Sequence, residues 1–299
     1  MYTAFAPSHI TGLFAINHDN DPLKEGSRGA GVSLELGVYT TVKSTKSLKW
    51  KAQIRINKML AKAEVSQAVI KKFSKLTSQA YDISIDHHIE VPVGAGFGVS
   101  GAGALSLALA LNEELNVGLS RIEVAQIAHL AEINRGTGLG TVLAATFGGL
   151  EIREKPGAPG IGTVKTISNP DGKVISLCLG SLATKKFLRN TAFQKKVNAV
   201  GNKLIGGLIL NFTSSNFLLF SRKFADKLNL YTQRLERILR NLGNQGLESF
   251  SMNFFGEALF TIVKEENQDH ILQNLKRFSP LGGTLVVSSI DKYGARLVD

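Results

Sequence analysis

The stretch that decides the fold is Pro92 to Leu111, P-V-G-A-G-F-G-V-S-G-A-G-A-L-S-L-A-L-A-L. Its first half can only be a loop. Its second half has Ser106 as its one polar side chain, which predicts a buried helix. Gly94, Gly96, Gly98, Gly101 and Gly103 fall within ten residues at the junction. Glycine lets backbone N–H groups approach a ligand and take positive φ. A helix N-terminus adds unpaired donors and positive dipole character. Loop and helix together make a candidate anion site, most naturally for nucleotide phosphates. The other reading is a glycine-rich helix start used for tight packing, an entropically costly device. The order is not GxxxxGK[ST] and the loop holds no lysine, so this is not a Walker-type loop. A dinucleotide fold is excluded as well, because the βαβ context and the following acidic residue are missing.

Outward from that stretch, strands and helices mix. Upstream, Val32 to Val42 and Leu48 to Ile56 read as strands, the second with half-buried alternation. Within Lys58 to Gln79, Val65, Val69, Phe73 and Leu76 keep helical spacing, with lysines such as Lys71, Lys72 and Lys75 opposite. Tyr81 to Val91 is a strand. Downstream, Ser120-Arg-Ile-Glu123 is a capping box that opens a helix to about Asn134. Gly136 to Gly140 breaks it, and Thr141 to Ile152 is an apolar, partly β-like run. Lys155 to Gly162 is the densest Gly/Pro segment, so a boundary is expected between there and Gly172. Beyond it follow a strand (Val174 to Leu179) and helices around Ala183 to Asn202, Asn216 to Leu228 and Tyr231 to Leu242. A strand (Ala258 to Val263) and a helix (Asp269 to Phe278) come next. Thr284 to Ser289 and Ala295 to Val298 suggest a terminal hairpin. There is no regular βαβ alternation, so the class is α+β, divided as 1–168 and 169–299.

The 299 residues suit one large domain or two ordinary ones. With 43% hydrophobic and 20% charged residues, disorder is excluded as the main state. The apolar stretch Ala102 to Asn112 is well short of the roughly 20 residues of a membrane span. The start of the chain lacks a basic segment followed by an apolar one, so a cytoplasmic location is expected. Cys178 is the sole cysteine, which excludes an internal disulfide and a cysteine metal cluster. The net charge of +11 leaves nucleic acid, an anionic small substrate and plain solubility open. Asp86-His87-His88 is not a metal site, since adjacent strand residues point to opposite faces.

The residues Pro92-x3-Gly96-Phe-Gly98-Val-Ser100-Gly-Ala102 resemble the glycine-rich motif of the GHMP kinases, usually P-x3-G-L-G-S-S-A-A. Several further segments bring the chain closest to the archaeal pantoate kinase branch. They are Ala6-Pro-Ser-His-Ile-Thr-Gly12, Gly26-Ser-Arg-Gly-Ala-Gly31, Thr137-Gly-Leu-Gly140, Gly148-Gly149, Lys155-Pro-Gly-Ala-Pro-Gly160 and Ser251-Met-Asn-Phe-Phe-Gly256. The short motifs are weak singly and specific in their number and order. The resemblance implies an N-terminal domain with a left-handed βαβ crossover, a ferredoxin-like C-terminal domain and a cleft site between them. It implies ATP and Mg²⁺ as cosubstrates, pantoate as acceptor and a homodimer. Neither nucleic acid nor a membrane is an expected partner.

The resemblance assigns the nucleotide to Pro92, Gly94, Ala95, Gly96, Phe97, Gly98, Val99, Ser100, Gly101 and Ala102. It gives Ser100 and Glu132 to the metal–phosphate group; the bland alternatives are a helix N-cap for Ser100 and a solvated helix face for Glu132. His9 stands where relatives carry lysine, and either contacts substrate or phosphate or is structural. Arg28, beside Ser27, is the preferred partner of the substrate carboxylate, because guanidinium binds carboxylate bidentately. Arg135 is the second choice, with a helix C-cap role as its alternative. Thr141 departs from the family, which usually has aspartate there to orient or deprotonate the attacking hydroxyl. A threonine hydroxyl is no general base near neutral pH. Phosphoryl transfer draws most of its acceleration from positioning and charge stabilisation, so Thr141 is compatible with activity. A different small-molecule GHMP kinase and a catalytically silent nucleotide-binding homologue both stay open.

Overall fold

The structure, a computed structural model, describes residues 1–167, 170, 172–182, 190–278 and 282–298. Two sheets organise them. The first is built on a long antiparallel hairpin of β1 (Tyr2–Asn17) and β2 (Gly26–Ser47). β5 (Ala80–Ile89) adds antiparallel to β2, and β3 (Lys51–Ile56) adds parallel to β5. The short β4 (Met59–Leu60) closes that edge. β6 (Leu150–Lys155) pairs the other end of β2 and carries β7 (Thr163–Thr166). The second sheet is antiparallel, in the order β11 (Thr284–Ser289), β8 (Lys173–Ser181), β10 (Gly256–Val263), β9 (Ser251–Met252).

Helices cover the sheets as their apolar faces require. α1 (Glu64–Phe73) connects the parallel pair β3 and β5 and buries Val69, Ile70 and Phe73. It is shorter than the predicted span, because Lys58 belongs to the β3–β4 hairpin and Leu76 is exposed. α2 (Val99–Glu114) is apolar on all sides and is the central buried helix, as predicted. α3 (Arg121–Arg135) starts with the expected reciprocal cap between Ser120 and Glu123 and ends at left-handed Gly136. Thr141 to Ile152 splits into a helix, α4 (Thr141–Phe147), and β6; two glycines, Gly148 and Gly149, make the corner. α5 (Thr191–Leu210) and α6 (Ser214–Leu228) pack on the far end of β1, and α7 (Gln233–Gly243) buries Leu235, Ile238, Leu239 and Leu242. α8 (Gln268–Lys276) follows. The predicted helix from Ala183 begins at Thr191; residues 183–189 lie outside the described residues. Residues 168 and 169, on either side of the expected boundary, also lie outside them.

The expected terminal hairpin does not form. β11 pairs β8 in the second sheet, whereas β12 (Arg296–Val298) returns to pair β1 in the first. The cause is the corner at Asp291, whose buried carboxylate accepts from the backbone N–H of Tyr293 and Gly294 and from Arg296. One core lies between the first sheet and α1 to α3. A second joins the inner ends of β1 and β2 to the second sheet and α5 to α7. Cys178 is buried there in β8, and burial pushes its thiol up to about 11. His87 is buried against Thr40 and Ser66 while His88 is exposed on the opposite face, so the pair binds no common ion. Trp50 packs edge-on against Tyr81. Among the described residues no helix is long and apolar enough to cross a membrane.

Candidate active site

The loop 92–98 rises from the end of β5 and turns three times through left-handed glycines, Gly94, Gly96 and Gly98 with φ of +82°, +84° and +60°. A side chain at Gly96 would meet Asn253 Cβ at 2.8 Å and the Asn253 carbonyl at 2.9 Å. The S-M-N-F-F-G segment therefore seats the loop, and the missing side chain of Gly256 leaves room for the Ala95 carbonyl. Gly98 caps α2; Ser100 does not, and sits one turn position inside the helix. The first intrahelical bond runs from the Ala102 N–H to the Gly98 carbonyl, so the N–H groups before Ala102 have no helical acceptor.

The Ser100 hydroxyl instead donates to Glu132 Oε1 at 2.6 Å, and the Thr137 hydroxyl donates to the same oxygen at 2.5 Å. Glu132 is buried, and burial pushes its carboxyl above the usual range against the opposing pull of those two hydrogen bonds. It is not a solvated helix face. A carboxylate and a hydroxyl side by side at a glycine loop suit a hard divalent cation that keeps waters and takes phosphate oxygens. Among the described residues no group of three or more His, Cys, Asp or Glu could hold a metal alone.

Loop and helix start form one wall of a cavity of about 460 Å³. Of the predicted nucleotide residues, Gly94, Gly96, Phe97, Gly98, Val99 and Ser100 line it; Pro92, Ala95, Gly101 and Ala102 stand behind them. Thr137 to Thr141 form the opposite wall, and Thr11, Phe14, Ser27, Phe254 and Phe255 complete it. Thr141 lies with its methyl toward the space a side chain at Gly98 would fill, 2.6 Å from that position. No Asp, Glu, His, Lys or Arg is among the lining residues.

Three predicted residues are elsewhere. The Arg28 Nε donates to the Glu154 carbonyl at 2.9 Å and its Nη1 reaches Asn202 Oδ1 at 3.3 Å, on the strand face opposite Ser27. Arg135 occupies the last turn of α3, outside the cavity lining. His9 is buried beneath the cavity, with Nε2 3.1 Å from Glu151 Oε1. Arg153, which the sequence reading missed, lies directly behind Gly140 of the cavity lining. Its Nε lies 2.8 Å from where a Gly140 side chain would begin, beside Ser27, and has no hydrogen-bond partner. The signal was present in L-E-I-R: Glu151 and Arg153, two residues apart, share one face of an otherwise buried strand.

The chain matches the family described as GHMP kinases N terminal domain over residues 60–149. The pantoate kinase of Methanocaldococcus jannaschii is 34% identical over 91% of this chain and 96% of that protein. The chain is a member of the pantoate kinase family. The pantoate kinase of Thermococcus kodakarensis is 33% identical over 91% of each chain. A solved structure described as a phosphotransferase related to the CoA biosynthesis pathway has 30% identity and a TM-score of 0.86, covering 99% of this chain and 98% of that one. A homoserine kinase from Cytophaga hutchinsonii shares the fold, with a TM-score of 0.68 at 16% identity over 99% and 97% of the two chains. This family member has Ser100 hydrogen-bonded to Glu132 beside the glycine loop, and threonine at 141.

Proposed function

We propose that the chain transfers the γ-phosphoryl group of ATP to the 4-hydroxyl of pantoate, giving ADP and 4-phosphopantoate in coenzyme A synthesis. One observation carries this reading: the glycine loop and the open start of α2 line a single cavity, and Ser100, on its wall, is hydrogen-bonded to Glu132 buried just behind it. The open N–H groups before Ala102 and the positive end of α2 favour nucleotide phosphates. Ser100 and Glu132 are the residues that would hold Mg²⁺, which when bound neutralises charge on the transferring phosphates. Phe14, Leu139, Phe254 and Phe255 supply apolar surface for the dimethyl carbon of pantoate. We assign the carboxylate to Arg153, whose Nε is a buried donor without a partner, beside Ser27 and directly behind Gly140 of the cavity lining.

Thr141 supplies no base. The reaction then rests on alignment and charge stabilisation: the substrate oxygen bonds the γ-phosphorus as its bond to the β–γ bridging oxygen breaks and ADP leaves, and the hydroxyl proton passes to an oxygen of the transferred phosphoryl group. The same threonine favours a second reading, a nucleotide-binding homologue without transfer. Release of ADP from ATP and Mg²⁺ over a panel of pantoate, homoserine and mevalonate separates them. Pantoate-dependent release supports the kinase; ATP binding without release with any acceptor supports the silent homologue.

The division at 168/169 is supported by the sheets, with β12 as the one strand that crosses back. A homodimer and a cytoplasmic location are supported by the family resemblance, and sedimentation velocity tests the first.

A further inference from the structure

We infer that Thr11 is a specificity-determining residue that accepts a hydrogen bond from the 2-hydroxyl of the acid substrate, with His9 and Glu151 as positioning residues. The inference rests on the pantoate reading above. Its basis is a buried hydrogen-bond chain under the cavity floor. His9, Glu151 and Arg153 are each at most 1% exposed. They project from β1 and β6, the two strands flanking β2, and meet over β2 where it carries Gly29 and Gly31. A side chain at Gly31 would collide with the His9 ring, and one at Gly29 would lie 2.7 Å from the Arg153 guanidinium. The G-S-R-G-A-G segment is thus the gap that lets the flanking strands touch.

The direction of the chain follows from which groups can donate. Arg153 Nη1 and His9 Nε2 both address Glu151 Oε1. A carboxylate only accepts, so His9 Nε2 carries the hydrogen. A neutral imidazole has one ring hydrogen, and the Glu151 contact takes it. His9 Nδ1 is then an acceptor. The Thr11 hydroxyl lies 3.4 Å from it and can only donate to it. With that hydrogen committed to His9, the hydroxyl oxygen of Thr11, a residue of the cavity lining, keeps lone pairs that can accept. At the other end of the chain, Arg153 Nε is a donor without a partner.

The chain therefore has an acceptor, Thr11, on the cavity lining at one end and a buried cationic donor, Arg153, behind Ser27 and Gly140 at the other. That pattern fits an acid bearing a hydroxyl next to its carboxylate. In pantoate these are the 2-hydroxyl and C1, both distinct from the 4-hydroxyl that receives phosphate. Thr11 thus adds selectivity without taking part in transfer.

The test compares kcat/KM for pantoate and for its 2-deoxy analogue, 4-hydroxy-3,3-dimethylbutanoate, at saturating ATP and Mg²⁺. The native enzyme is expected to prefer pantoate by about tenfold, the scale of one hydrogen bond in a desolvated site. Thr11→Val is expected to bring the preference to within about twofold with the KM for ATP unchanged, and Thr11→Ser to keep it. His9→Gln keeps a donor toward Glu151 but removes the acceptor facing Thr11. It should lower the preference while leaving the KM for the 2-deoxy analogue unchanged, which a merely structural role would not do. If His9→Gln fails to fold, the Thr11 pair decides alone. Turnover of pantoate with an unchanged preference in Thr11→Val overturns this inference and leaves the pantoate reading intact. Turnover of neither acid by the native enzyme overturns both.

Discussion

Thr141→Asp restores the carboxylate usual in the family, and its cost follows from the structure. A side chain at Gly101 would begin 3.0 Å from the Thr141 methyl and 3.1 Å from Glu132 Oε2. Thr141 and Glu132 therefore flank one point, no more than about 6 Å apart. Two carboxylates at about 5.5 Å with an effective dielectric of about 20 repel by about 3 kcal/mol. The start of α4 returns about 0.5 kcal/mol to the new negative charge. Without divalent cation at pH 7.5, unfolding in urea should show a loss of about 2.5 kcal/mol. The pair's apparent pKa is raised, so the cost is complete above that pKa and fades as pH falls toward the ordinary carboxylate range near 4. Turnover should change by less than the roughly hundredfold that an essential base supplies. A variant as stable as the native protein at pH 7.5 in chelator would refute the placement of Thr141 beside Glu132. A gain in turnover beyond about hundredfold would refute transfer without a base.

Three further outcomes are expected. Glu132→Gln removes a buried carboxylate whose pKa is raised by desolvation. It should stabilise the metal-free protein by about 1 kcal/mol at pH 8, with the gain gone near pH 4, where native Glu132 is also neutral, while turnover collapses. Arg153→Lys should raise the KM for pantoate by about tenfold and leave that for ATP within about threefold. Arg28→Ala should instead cost about 1 kcal/mol of stability, through its lost bonds to Glu154 and Asn202, and a large rise in the pantoate KM would return the carboxylate to Arg28. His87 is held down to about 4 by burial, so its unfolded form takes up the proton first. Stability from this site is full above about pH 6.5 and is lost between there and about pH 4; an acid titration of unfolding in His87→Gln should lack that loss.

The glycine loop and the helix after it were legible because they are written locally. Pro92 to Leu111 holds loop, turn residues and helix in twenty consecutive positions; the structure caps α2 with Gly98 rather than Ser100 and leaves Pro92, Ala95, Gly101 and Ala102 out of the cavity lining. Glycine can take the left-handed cap with φ of +60°, which frees the Ser100 hydroxyl for Glu132. The buried cluster of His9, Glu151 and Arg153 was not legible, because it is assembled across strands. Arg153, Glu151, His9 and Gly31 are far apart in sequence and adjacent only through the register of β1, β2 and β6. Arg28 had the right chemistry on the wrong face: its neighbour Ser27 points to the cavity, and strand alternation turns Arg28 away. The terminal hairpin failed for a similar reason. The alternation of β11 and β12 is real, but Asp291 ties the turn to Arg296 and sends the last strand to the other sheet. The net charge of +11 decided nothing about the site, whose lining carries no ionisable side chain.

The most direct test of the central claim is ³¹P NMR of the products formed from ATP, Mg²⁺ and pantoate. The account predicts stoichiometric ADP and one phosphomonoester whose phosphorus couples to the two protons of the primary C4 carbon. ATP binding with no pantoate-dependent phosphomonoester, or phosphate on the 2-hydroxyl, would contradict it.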